Sequence, residues 1–133
     1  MPSPTHPSMQ HDMTPAMRAG VEACTACRDA CLVAVAHSVE RGGPLAVPAH
    51  VAVLTDCAAL CETTASFLLR GSPRHDRVCA ACASVCRDCE VSCRQIGQGE
   101  TLRRCAEACA RCAEACEQLA GSLAVAPDRK SVV

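Results

Sequence analysis

The sequence predicts an all-α protein, an antiparallel up-down-up-down four-helix bundle with a cysteine-lined core, on three observations. Fourteen of the 133 residues are cysteine, and within four segments they recur at steps of three and four. Residues at those steps stack on one face of an α-helix, with Cβ atoms about 5–6 Å apart, and trace the inward seam where bundle helices normally carry Leu and Ile. The segments are joined by short links containing Gly, Ser or Pro, and short links between long helices favour antiparallel neighbours. The length suits one domain. The expected division is a tail over 1–13, the bundle over 14–121 and a second tail over 122–133.

Pro2, Pro4 and Pro7 among Ser, Thr and His mark the first segment as a loose tail. Thr14 followed by Pro15 is a helix entry, with Thr as N-cap and Pro at the first helical position. The first helix then runs to about Arg41, where Gly42 and Gly43 stop it, and carries Cys24, Cys27 and Cys31. Gly20 falls on the same seam, where a small residue admits a close neighbour. The second helix begins at Val47 or Pro48, carries Cys57 and Cys61, and ends at Arg70 before Gly71. Ser72 and Pro73 repeat the entry signal and open a third helix, which reaches about Ile96 and carries Cys79, Cys82, Cys86, Cys89 and Cys93. The fourth covers roughly Glu100 to Ala120, with Cys105, Cys109, Cys112 and Cys116, and Gly121 stops it. The remaining SLAVAPDRKSVV has no periodic pattern.

Composition excludes several classes of function. Thirteen basic and 14 acidic residues give a formal charge of −1, so the basic surface that binds nucleic acid or anionic lipid is missing. Phe67 is the one aromatic residue, which argues against base stacking. No uninterrupted apolar run approaches the roughly 18 residues that span a bilayer, so no membrane partner is expected. The N-terminus lacks a basic n-region, an apolar h-region and a twin arginine, and the expected location is the cytoplasm. Cysteine at this density elsewhere signals a secreted disulfide scaffold, but such scaffolds spread their cysteines through loops rather than along helix seams. No Ser/His/Asp grouping, phosphate loop or paired carboxylate set is present, and an enzyme has no need of fourteen similar ligands.

The third ladder extends about 21 Å at about 1.5 Å per residue, and in an antiparallel arrangement the other three fall beside it. The sulfurs therefore converge on one lumen. Uncharged thiols pack as small hydrophobes, but fourteen of them fill the centre of four long helices poorly, and voids cost stability. Structural zinc sites use isolated sets of four ligands, whereas these ligands run in unbroken register. Neither iron–sulfur spacing is present. Cuprous ion is a soft cation that prefers thiolates, and neighbouring CxxxC sulfurs form two-ligand clamps for it. A zinc or mixed-metal thiolate module and a thiol redox protein built on a CxxC pair are the alternatives.

With its four cysteine ladders, their CxxxC units and the helix punctuation over about 14–120, the chain resembles the bacterial four-helix-bundle copper storage proteins, specifically the cytosolic branch. The resemblance implies a homotetramer of bundles, each holding many Cu(I) ions through thiolates, with all fourteen cysteines as candidate ligands and a copper chaperone as a candidate partner. It also implies His or Met near a bundle opening. His75 lies four residues before Cys79 and His50 seven before Cys57, both in register, and both are candidate ligands. His37 is one position off the seam, Met13 and Met17 read as packing residues, and His6 and His11 fall in the tail. Arg28, Asp29, Arg87, Asp88, Glu107, Arg111 and Glu114 fall between the cysteines and read as solvated surface. Leu32, Val33, Val35, Val53, Leu60, Phe67 and Leu69 lie off the seams and are expected to pack between helices or against another copy.

Overall fold

A computed structural model of the chain describes residues 13–97 and 99–123. It contains four long helices, α1 (Pro15–Arg41), α2 (Pro48–Leu69), α3 (His75–Ile96) and α4 (Gly99–Ala120). α1 packs on α2 and α4, and α3 packs on α2 and α4, which closes the four into a ring around one axis.

The helix starts follow local chemistry. Thr14 holds an extended backbone and its Oγ1 accepts the Met17 amide at 3.0 Å, while Pro15 occupies the first turn, where its missing N–H is no loss. α3 starts later than the Ser72–Pro73 signal suggests. Ser72 Oγ accepts the Arg74 amide at 3.1 Å, and Arg74 at φ −102° and ψ 13° lies outside helical geometry, so these residues close a turn and the helix begins at His75. α2 ends one residue early, with Arg70 as its cap, and α4 begins one residue early, at Gly99. Gly97 ends α3 in the left-handed conformation at φ 60°, from which its amide reaches Cys93 O at 2.9 Å.

Two short 3-10 segments were not legible in the periodicity. Gly43–Ala46 links α1 to α2 and turns Leu45 inward, where it is buried. Gly121–Leu123 extends past α4. The expected tails otherwise lie outside the described residues, together with His6 and His11.

On α1, α2 and α4 the buried stripe continues the cysteine steps in both directions. On α1 it runs Gly20, Cys24, Cys27, Cys31, Ala34, Ser38; on α2 it runs His50, Leu54, Cys57, Cys61, Thr64, Leu68. The sulfur column is thus closed at both ends by the same seams, with Leu54 and Leu102 at one end and Leu68 at the other, all nearly or fully inaccessible. Gly20 admits a close approach on this seam: a Cβ there would sit 2.6 Å from Leu119 Cδ1 and 3.1 Å from Leu68 Cδ1. Glycine lets both leucines lie against the α1 backbone at the end of the lumen.

The outer faces match their composition. Arg87 on α3 pairs with Glu117 on α4 and with Glu90, though a half-exposed pair of this kind contributes only about 0–1 kcal/mol. Val35, Val53 and Leu60 are half-buried between helices, Phe67 lies beneath the Arg70 guanidinium at 4.9 Å, and Leu32, Val33 and Leu69 are exposed. α2 is, by length and composition alone, apolar enough to cross a membrane, although Asp56 and Glu62 interrupt it. In the bundle it turns its cysteine stripe toward the lumen and packs on α1 and α3.

Candidate metal centre

All fourteen cysteines are reduced, and each is at most 1% exposed. Their sulfurs meet across the lumen, and Cys82 and Cys86 of α3 also lie 3.9 Å apart along one helix. Cys24 Sγ lies 3.6 Å from Cys112 and 3.8 Å from Cys116. Cys27 lies 3.7 Å from both Cys57 and Cys109, and Cys31 lies 3.7 Å from Cys105 and 3.9 Å from Cys89. Cys61 touches Cys82, Cys86 and Cys112, each at 3.8 Å.

These contacts organise into five groups of four sulfurs, each with all members within 4.8 Å of one another. From one end of the lumen the first is Cys24, Cys82, Cys112 and Cys116, and the second is Cys61, Cys82, Cys86 and Cys112. Then come Cys27, Cys57, Cys61 and Cys86, followed by Cys27, Cys31, Cys57 and Cys109, and finally Cys31, Cys89, Cys105 and Cys109. Every group shares two sulfurs with the next, so twelve cysteines form a continuous chain of edge-sharing sets. An ion passing from one set to the next would keep two of its ligands.

None of the five groups contains Cys79, Cys93, His50 or His75. The two cysteines are the end rungs of the α3 ladder. The two histidines lie just beyond them and share a feature. His75 Nδ1 is 2.9 Å from Ser72 O, which can only accept, so the ring donates from Nδ1 and Nε2 is the nitrogen left to face a ligand. His50 Nδ1 is 2.7 Å from Ser92 Oγ, while its buried Nε2 has no hydrogen-bond partner among the described residues. The ends differ in access. His50 is 3% exposed, whereas half-buried His75 lines a cavity of about 160 Å³ with Met13, Met17 and Leu68. His37 lines a separate surface cleft with Arg41 and Pro44.

Electrostatics separates the thiols into two kinds. Hydrogen bonding to Cys112 pulls Cys24 down to about 5 and lowers Cys82; hydrogen bonding to Cys109 lowers Cys27, Cys57 and Cys105. Cys109 is pushed up chiefly by its hydrogen bond with Cys105, and Cys112 by that with Cys116. A buried cluster of this size cannot ionise throughout without cations, because each uncompensated charge in the interior is costly. Burial lowers the His50 pKa, against the opposing influence of the Cys105 charge, and so favours the neutral imidazole that serves as a ligand.

The fold and this site define a class: a helical bundle whose core is a column of thiol donors instead of a hydrocarbon core. The chain belongs to the copper storage protein family, whose model matches residues 8–121. Solved structures agree. A protein of Nitrosospira multiformis is 33% identical, covering 79% of this chain and 94% of its own, with a TM-score of 0.74. The Cu(I)-bound copper storage protein of Bacillus subtilis is 27% identical over 80% of this chain and 99% of its own, with a TM-score of 0.75. The copper storage protein of Streptomyces lividans, solved with 10 copper equivalents, is 33% identical over 79% of this chain and 83% of its own, with a TM-score of 0.73. No curated protein sequence matches the chain significantly.

Proposed function

We propose that the chain stores Cu(I), taking up many cuprous ions as cargo on its core thiolates and so limiting free copper. The observation that carries this reading is the chain of five sulfur sets in which each shares two ligands with the next. Shared ligands suit a small monovalent soft cation held by bridging thiolates. One Cu(I) per thiolate also leaves the core uncharged, which a buried site requires. The capacity is then on the order of one ion per thiolate, all fourteen cysteines serving as ligands. His50 and His75 extend the donor set at the two ends, each with Nδ1 engaged and Nε2 left over. Burial of every sulfur beyond reach of a substrate larger than an ion supports storage rather than catalysis.

The metal-binding unit spans residues 14–121 as one domain. We assign the protein to the cytosol, as one Streptomyces relative is described as a cytosolic copper storage protein, and expect a homotetramer that receives copper from a chaperone. Exposed Leu32, Val33 and Val39 on α1 supply an apolar face for such an assembly.

Zinc is the second reading, because each set offers four sulfurs around one centre, which suits a tetrahedral ion. The two metals predict different capacities. Anaerobic titration of the reduced protein against a competing chelator should show tight uptake of about one Cu(I) per thiolate, whereas zinc should saturate near one ion per set. Tight uptake of only a few cuprous ions would overturn the storage reading.

A further inference from the structure

The more open end of the lumen carries charge of the wrong sign for a free cation. Half-buried His75 lines a cavity of about 160 Å³ there, together with Met13, Met17, Leu68 and residues 71–73. Exposed Arg18, Arg70, Arg74 and Arg77 stand around it. Arg18 follows Met17, and its guanidinium reaches toward Met13 O at 3.5 Å. Arg70 precedes Gly71 and lies over Phe67, Arg74 sits between Pro73 and His75, and Arg77 belongs to the first turn of α3. None of these arginines has an ion-pair partner among the described residues, and elsewhere only Arg41 and Arg111 share that state. At the far end, Arg94, Arg103 and Arg104 are matched by Glu90, Glu100 and Glu107. Opposing carboxylates near His75 are fewer than the arginines. Asp76 is half-buried, its Oδ1 accepting the Arg77 amide at 2.9 Å; Glu22 lies one turn along α1 from Arg18, and Glu117 of α4 is held by Arg87.

Such a rim repels a cuprous ion approaching alone and draws in an anion, and charge around an opening changes association rates about 10- to 1,000-fold. Resting on the storage reading, we propose that the arginine rim selects the form in which copper arrives: a small anionic cuprous complex, the ion held between two carboxylate-bearing thiols. Guanidinium groups pair with the carboxylates of such a carrier, and the cavity has the size of a thiolate arm rather than of a protein domain. Each delivery breaks the carrier's two copper–sulfur bonds as copper–sulfur bonds form in the column. The proton of the receiving thiol leaves on one carrier thiolate and the other carrier thiolate leaves as the anion. The core thus gains a neutral copper–thiolate unit, and copper stays cuprous throughout.

The test loads the full, reduced chain anaerobically with the cuprous complex of mercaptosuccinate, an anion, or of 2-aminoethanethiol, a cation, and measures protein-bound copper after rapid desalting. At low salt the first equivalents should enter about 10-fold faster from the anionic complex, and the advantage should vanish in about 1 M salt, where charges are screened beyond about 3 Å. Arg74→Glu combined with Arg77→Glu should invert the preference without changing the final capacity, whereas Arg111→Gln, on an exposed position of α4, should leave it as in the parent. A ratio of the two rates that is the same in the parent and the reversal variant, or that salt does not move, overturns the proposal. If uptake stops at a few ions from both carriers, the storage reading fails, and the ratio of initial rates still decides what the rim selects.

Discussion

Cys109 and Cys79 are equally buried, yet they occupy different positions in the chemistry. Cys109 belongs to two of the five sulfur sets and Cys79 to none. Replacing Cys109 by Ala should therefore lower Cu(I) capacity more than replacing Cys79, as read by titration against a chelator; equal losses would mean that the sets do not govern occupancy. The thiols also make copper-free stability depend on pH. Those raised above the ordinary 9.0, such as Cys61, Cys109 and Cys112, contribute stability that is complete below 9.0 and lost as pH rises through their folded values. Above 9.0 the raised thiols are the ones that still differ in protonation between the folded and unfolded states, so the melting temperature should fall above about pH 9 and copper should abolish the fall. His50 acts in the opposite direction: its pKa lies below 6.5, so its contribution is present above 6.5 and lost as pH falls through the folded value. In His50→Gln the melting temperature of the copper-free protein should change less below pH 6.5. At this scale the buried cysteine column was legible because its spacing is periodic. Ser92 was not, since a polar residue beside a cysteine has no pattern of its own, whereas Ser38 lies seven residues beyond Cys31 and extending that ladder reaches it.

The helices owe their limits to single residues, and these can be tested one at a time. Thr14→Ala removes the acceptor of the Met17 amide and should destabilise the copper-free protein by about 1 kcal/mol in thermal or denaturant unfolding. Gly20→Ala gains about 1 kcal/mol of helix propensity but forces Leu119 and Leu68 apart, an overpacking that costs about 1–3 kcal/mol. A net loss of about 1 kcal/mol is expected. A stabilised Gly20→Ala protein would show that the leucines yield freely. The four helices could be read from capping residues and the step of three and four, because both signals are local. The delayed start of α3 could not, because Ser72 supports a turn and a helix cap with the same hydroxyl. The inward turn of Leu45 also escaped, since it depends on where the α1–α2 link lies against the finished bundle.

As a whole, the molecule separates its cargo from its contacts: sulfur inside, charge and a few apolar side chains outside. The up-down-up-down order and the convergence of four ladders were both legible, because short links and inward seams leave little choice of topology. The edge-sharing of the sulfur sets was not, as it depends on the axial offset between helices. The apolar face of α1 belongs to this scale too. Replacing Leu32 and Val33 by Asp should convert an oligomer to single bundles in analytical ultracentrifugation while leaving Cu(I) capacity unchanged. The central claim is that the five sets form one continuous store. Anomalous diffraction at the copper edge, from crystals of the fully loaded protein, tests it most directly. Copper peaks should follow one another along the bundle axis from the Cys116 end to the Cys93 end, bridged by shared sulfurs. One or two isolated ions, with the remaining sulfurs unligated, would contradict the account.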